Sequence, residues 1–181
     1  MTPIKATASH KNLASEDTHL VREYRTLVDD LLAAPEFAQL ADCRHHKMNR
    51  RQHALNVSWY AFLLARRCRM DVAACARSGL LHDLYYYNFR DEDCGKSEHI
   101  KNHPRLALEN ARALTNLSSR EEDIILNHMW PMSVERRLHF KETYLVACID
   151  KMCCLLELFA VAWQGSKRGA RRVWQNLRGQ N

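Results

Sequence analysis

The chain has 181 residues, of which 46% are apolar, and a formal charge of +6, which fits one domain with an ordinary core. No apolar run approaches the roughly 20 residues needed to cross a bilayer, and Met1 to His10 lack an apolar core of signal-peptide length. A soluble, cytoplasmic protein without a membrane partner is expected.

In chain order, every strong periodic segment is helical, and five Gly with four Pro are too few to punctuate a many-stranded protein. The fold class predicted is all-α, a single compact helical bundle. Residues 1–15 read as a flexible segment, 16–163 as the folded domain and 164–181 as a basic C-terminal segment. Leu20, Tyr24, Leu27, Val28, Leu31 and Leu32 recur at three- and four-residue steps, which predicts a helix from about Glu16 to Ala33, stopped by Pro35. A short segment from Glu36 to Ala41 follows, then a long helix from about Asn49 to Arg69. Asp71 is the expected N-cap of the next helix, running to about Tyr86. Asp91 to Lys96 reads as a charged loop. Pro104 suits the first turn of a helix continuing to Leu114, with His103 at its start. Ser118 or Ser119, followed three residues later by Glu121 or Glu122, is a capping-box pattern for a helix ending at Trp130-Pro131. A last long helix is expected from about Lys141 to Trp163.

The seven cysteines, Cys43, Cys68, Cys75, Cys94, Cys148, Cys153 and Cys154, are odd in number and form no CxxC pair. They read as reduced thiols. Much of the excess positive charge lies in Lys167, Arg168, Arg171, Arg172 and Arg178, interleaved with Val173, Trp174 and Leu177. A basic helix packed through those apolar residues is preferred here over a nucleic-acid contact, because no recognised binding motif accompanies the charges.

The residues that carry chemistry are His53, the adjacent His82-Asp83, His103, His128 and Asp150. Imidazole nitrogen and carboxylate oxygen suit divalent iron, manganese and zinc, and an aspartate can offer its two oxygens to two metals. Four imidazoles and two carboxylates suffice for two ions, with Asp83 as the natural bridge. Asp150 sits in Tyr144–Leu156, apolar on nearly every face, where an unpaired carboxylate is costly. A metal would relieve that cost, and so would pairing with Lys151 or a nearby arginine. His53 alone, mid-helix, would read as an ordinary histidine, as do His10, His19, His45, His46 and His139.

The ordered set His53, His82-Asp83 and Asp150 resembles the signature of the HD superfamily of metal-dependent phosphohydrolases. His103 and His128, in the interval before Asp150, resemble the two extra histidines of its dinuclear branch. The likeness covers roughly Arg50 to Glu157. His103 is chosen over His99, one helical turn earlier, because it matches the family's His-Pro at a helix start.

The resemblance implies His53, His82, Asp83 and Asp150 at one metal, with Asp83, His103 and His128 at the second. The expected cofactors are two divalent ions, iron or manganese first, with zinc, magnesium, cobalt and nickel also compatible. It implies hydrolysis of a phosphate ester or anhydride of a nucleotide or other small phosphorylated compound by a water shared between the metals, so that Asp83 is catalytic as well as a ligand. Lys151 is either a catalytic cation for the phosphoryl group or a supporting charge. Tyr85 and Tyr86 are candidates to line the pocket mouth, and Arg90, Lys96, Lys101 and Arg105 to form a phosphate-binding rim. Where several related hydrolases carry a lysine shortly after the doublet, this chain has tyrosines. Two other activities share the fold: a mixed-valence di-iron oxygenase with the same ligand set, and a non-catalytic module that binds a nucleotide or a partner.

Overall fold

The computed structural model describes residues 18–45, 48–87, 96–133 and 137–178, with side chains except at 44, 45, 48, 96, 97 and 160–178. Helix α1, His19–Ala33, starts at Thr18, whose hydroxyl accepts from the Val21 N–H, and buries Val21, Tyr24, Val28 and Leu31. Pro35 ends it and occupies the first turn of α2, Pro35–Gln39, where its missing N–H has no helical partner to lose. A two-residue antiparallel ladder, β1 Arg44–His45 with β2 Met48–Asn49, leads into α3, Arg50–Arg67, capped by the Asn49 side chain. Helix α4, Val72–Leu81, is capped by Asp71. Helices α5, Lys96–Leu114, α6, Ser119–Asn127, and α7, Lys141–Arg178, complete the described fold, which is all-α apart from that short ladder.

Helix α3 is central, with residues buried all round it, including Trp59, Phe62, Ala61 and Val57. A core of Tyr24, Phe37, Leu55, Trp59, Phe62, Leu80, Leu81 and Ile125 lies on one side of it. A smaller cluster of Val57, Ala61, Ala65, Cys75, Ile124, Val146 and Ile149 joins it to α4, α6 and α7 on the other. Tyr24 stands edge-on to Trp59 and Phe62, with centroids 5.1 and 5.4 Å away. The buried Ser58 hydroxyl donates to the Ala76 carbonyl and so accepts from the Tyr24 hydroxyl at 2.8 Å. The polar ends are thus satisfied inside an apolar core. The six described cysteines are free thiols.

Besides the start of α1, at His19 and not at about Glu16, four boundaries depart from the pattern read in the sequence. Helix α4 ends at Leu81, not Tyr86. Beyond it the Leu84 N–H bonds back to the Leu81 carbonyl and the Tyr85 N–H to that of Asp83, a tight turn rather than a helical ladder. Helix α5 begins at Lys96, so Pro104 lies inside it and His103 two turns in, not at its start. The expectation weighted the bond that proline forfeits, whereas the helix tolerates that loss. Helix α6 ends at Asn127, with the Ser118–Glu121 capping box formed in both directions. Helix α7 continues past Trp163 to Arg178. The Asp91–Gly95 part of the charged loop and residues 1–15 lie outside the described residues.

Close packing of α3 on α4 fixes the position of the turn that carries His82 and Asp83. A Cβ at Gly79 would stand 2.6 Å from Ser58 Cα and 2.8 Å from its backbone nitrogen, atoms that cannot swing aside. Gly79→Ala is expected to cost about 1–3 kcal/mol, read as a lower denaturation midpoint; an unchanged midpoint would contradict this close approach.

Candidate metal centre

Six buried side chains converge where the C-terminal ends of α4 and α6 meet α3, α5 and α7. His53 comes from α3, His103 from α5 and Asp150 from α7; His82 and His128 are the C-caps of α4 and α6, and Asp83 follows His82. The structure therefore brings together all six residues singled out by the sequence.

Each imidazole is aimed by its Nδ1. His82 Nδ1–H donates to the Gly79 carbonyl at 2.9 Å, His103 Nδ1–H to that of His99 at 2.8 Å, and His128 Nδ1–H to that of Ile125 at 2.8 Å. A carbonyl only accepts, so the proton sits on Nδ1 and the Nε2 lone pair faces the centre. His53 Nδ1 instead meets the Glu157 carboxylate, at 3.1 and 3.2 Å from its two oxygens.

The inward atoms are close. His103 Nε2 and His128 Nε2 stand 3.0 Å apart, and Asp83 Oδ1 is 3.5 and 3.7 Å from them. His82 Nε2 lies 3.8 Å from Asp83 Oδ2 and 3.8 Å from Asp150 Oδ1. His53 Nε2 is 3.0 Å from Asp150 Oδ1. Asp83 thus turns one oxygen to the His103–His128 pair and the other to His82, which is what a bridging carboxylate requires.

The electrostatics call for a cation. Burial, followed by the charges of neighbouring His82 and His103, pushes His128 well below its ordinary pKa. Burial also lowers His103. Protonation of this pair is therefore disfavoured, although two lone pairs face each other across 3.0 Å. Metal–nitrogen bonds of about 2.1 Å meeting near a right angle place two nitrogens about 3.0 Å apart. His82 Nε2 is fully buried and has no hydrogen-bond partner among the described residues, a costly state for an imidazole nitrogen unless it coordinates. Groups of ligand atoms within 4.8 Å of one another are formed by His53, His82 and Asp83, by Asp83, His103 and His128, and by His53, Asp150 and Cys154. The residues present fit a divalent metal.

The other half differs in sign. Burial opposes a charge on His53, but the hydrogen bonds it donates to Asp150 and Glu157 outweigh it and raise the group to about 10. Burial would raise Asp150, yet the His53 hydrogen bond and the Lys151 and histidine charges hold it well below the usual carboxylate range. Without metal, His53 is an imidazolium between two carboxylates.

The remaining sequence candidates are distributed around this centre. Lys151 Nζ donates to Asp150 Oδ2 at 2.9 Å and to the His128 carbonyl, so it ties α7 to the end of α6. The Tyr85 ring packs on His103, with centroids 5.3 Å apart, and is buried. The Tyr86 hydroxyl reaches away, donating to the Glu36 carbonyl at 3.4 Å. Lys101 and Arg105 are exposed on α5, on the face roughly opposite His103 by helical register. Lys96 opens α5, its side chain outside the described ones, and Arg90 lies outside the described residues altogether.

Several supporting residues escaped the sequence reading. Glu157 is two turns beyond Asp150 on the same face of α7, and Asn56 one turn beyond His53; that helical spacing was the available signal. Buried Arg50 stacks its guanidinium 3.6 Å over the Tyr85 ring and donates to the Tyr85 and Tyr87 carbonyls, which pins the chain after the doublet. The Tyr87 hydroxyl lies 2.7 Å from His99 Nδ1. His99 stacks on His103 at 4.6 Å, its pKa lowered to about 4 by burial and by His103. It flanks the centre, and it is His103 whose ring nitrogen groups with Asp83 and His128.

The sequence model of the family described as HD domain matches residues 50–153, more than half of the chain, and the chain belongs to the HD-domain family. No curated protein and no solved structure matches it.

Because His53 is raised to about 10, a metal arriving at neutral pH must displace its proton. Apparent affinity for Mn(II) is therefore expected to rise with pH, about tenfold per unit for one displaced proton. Calorimetry in buffers of different ionisation enthalpy measures that proton; binding without proton release would contradict the charge state given to His53.

Proposed function

We propose that this member of the HD-domain family is a dinuclear metal phosphohydrolase acting on a nucleotide or another small phosphorylated compound. The observation that carries the reading is the division of the centre around Asp83, whose oxygens face two separate histidine groups. In this reading His53, His82 and Asp150 share one metal with Asp83, and His103 and His128 share the second. Such a pair of metals, when bound, supplies an activated water at neutral pH and neutralises charge on the phosphoryl oxygens. Iron or manganese suits this nitrogen and oxygen donor set.

The protein's own groups do the positioning. The Nδ1 anchors hold the imidazole rings in place, so little reorganisation is needed when charge develops. Lys151, partly exposed beside Asp150, steadies that carboxylate and presents positive charge at the edge of the centre, where it attracts the substrate phosphate. Tyr85, buried beneath the Arg50 guanidinium, backs His103, and the half-buried Tyr87 beside it offers the aromatic surface on which a base or sugar can stack. Lys101 and Arg105, although on the far face of α5, add a favourable potential for an anionic substrate at longer range, and Arg90 and Lys96 are proposed to contact the substrate phosphate. The protein acts in the cytoplasm in this account.

The test is a screen of nucleotides and other phosphate esters with Mn(II) or Fe(II), with and without dioxygen. Hydrolysis that persists without dioxygen is expected; turnover that requires iron and dioxygen would overturn the hydrolase reading. Asp83→Ala should lose both metals and all hydrolysis, whereas His128→Ala should mainly weaken one metal, as elemental analysis of the variants would show. Retained hydrolysis in the Asp83 variant would contradict the mechanism.

A further inference from the structure

Three of the four inward-facing imidazoles lean on neutral backbone carbonyls, those of Gly79, His99 and Ile125. His53 alone leans on a carboxylate. Glu157 reaches His53 Nδ1 with both oxygens and is only 3% exposed. Asn56 Nδ2 donates to Glu157 Oε1 at 2.7 Å, and Gln52 Nε2 donates to Asn56 Oδ1 at 3.0 Å. The carboxylate is therefore fixed from α3, on the helix that also carries His53.

A carboxylate accepting from Nδ1–H makes the opposite nitrogen a stronger donor to a metal and locks the ring. It also places a full negative charge in a dry environment, where attraction for a dication is weakly screened. The two halves of the centre are unequal on this count. The His53–His82 half has Asp150 and Glu157 besides the shared Asp83, whereas among the described residues the His103–His128 half has Asp83 only.

We infer that Glu157 is a positioning residue that strengthens His53 as a ligand and so sets the order of loading: the His53–His82–Asp150 position fills first and holds its metal more tightly. The inference rests on the two-metal reading above. Residues beyond the matched 50–153 segment then belong to the centre, because α7 carries Glu157 two turns further along.

The experiment is a Co(II) titration of the metal-free full chain, followed by calorimetry and by the visible absorption of bound cobalt. The wild type is expected to bind in two steps, the first tighter. Glu157→Gln keeps the size of the side chain and an oxygen to accept from Nδ1–H but removes the charge. It should weaken the first step about 10- to 100-fold and leave the second unchanged. Asn56→Ala, which loosens Glu157 but keeps its charge, should shift the first step in the same direction by less, and it decides the matter if the Gln variant does not fold. Two steps that stay unmoved in both variants, or that weaken together as a general loosening of the fold would cause, overturn the inference. A wild type that binds no cobalt, or one ion only, instead removes the two-metal reading and the inference with it.

Discussion

Two imidazole lone pairs, on His103 Nε2 and His128 Nε2, face each other across 3.0 Å in the buried interior. Both rings have already committed their Nδ1 protons to backbone carbonyls, and burial makes a second proton unfavourable. A few ångströms away, the buried His82 Nε2 lacks a hydrogen-bond partner among the described residues and faces Asp83 and Asp150. Groups arranged in this way repel or remain unsatisfied unless a cation lies among them, and an interior that retains them is difficult to explain by stability alone.

The fold serves this arrangement by ending helices at the centre. His82 and His128 occupy C-cap positions, where the ring folds back onto the carbonyl three residues earlier, so each helix end aims its own imidazole at the centre. Asp83 follows directly and gains from the turn a freedom that a residue inside a helix would lack. The absence of a side chain at Gly79 lets α4 approach α3 closely enough for His82 to meet His53, with ring centroids 5.4 Å apart. Arg50 then holds the chain that leaves the doublet, through the Tyr85 and Tyr87 carbonyls.

Much of this was legible in the residues because metal ligation constrains types and order strongly. His53, His82-Asp83, His103, His128 and Asp150 were identifiable before any geometry, as were the Asp71 cap and a capping box at Ser118 or Ser119, which the structure forms from Ser118 and Glu121. Helix boundaries at the centre were less legible, since functional geometry overrides local preference there. Pro104 marks a helix start by propensity, yet α5 runs two turns further back, and nothing in Leu84-Tyr85-Tyr86-Tyr87 signals a turn. The adjacent tyrosines separate only in three dimensions, Tyr85 against His103 and Tyr86 against Glu36. Glu157 and Arg50 were missed because a buried charge is recognised by its partner, and a sequence does not show which distant residue that is.

In the proposed function the buried histidines and carboxylates hold two divalent metals. Elemental analysis of the full chain, purified under low oxygen without chelators or metal-affinity resin, tests it most directly. Two iron or manganese ions per chain is the predicted result. A folded chain that carries no metal, and takes up none when Fe(II) or Mn(II) is added, would contradict the account.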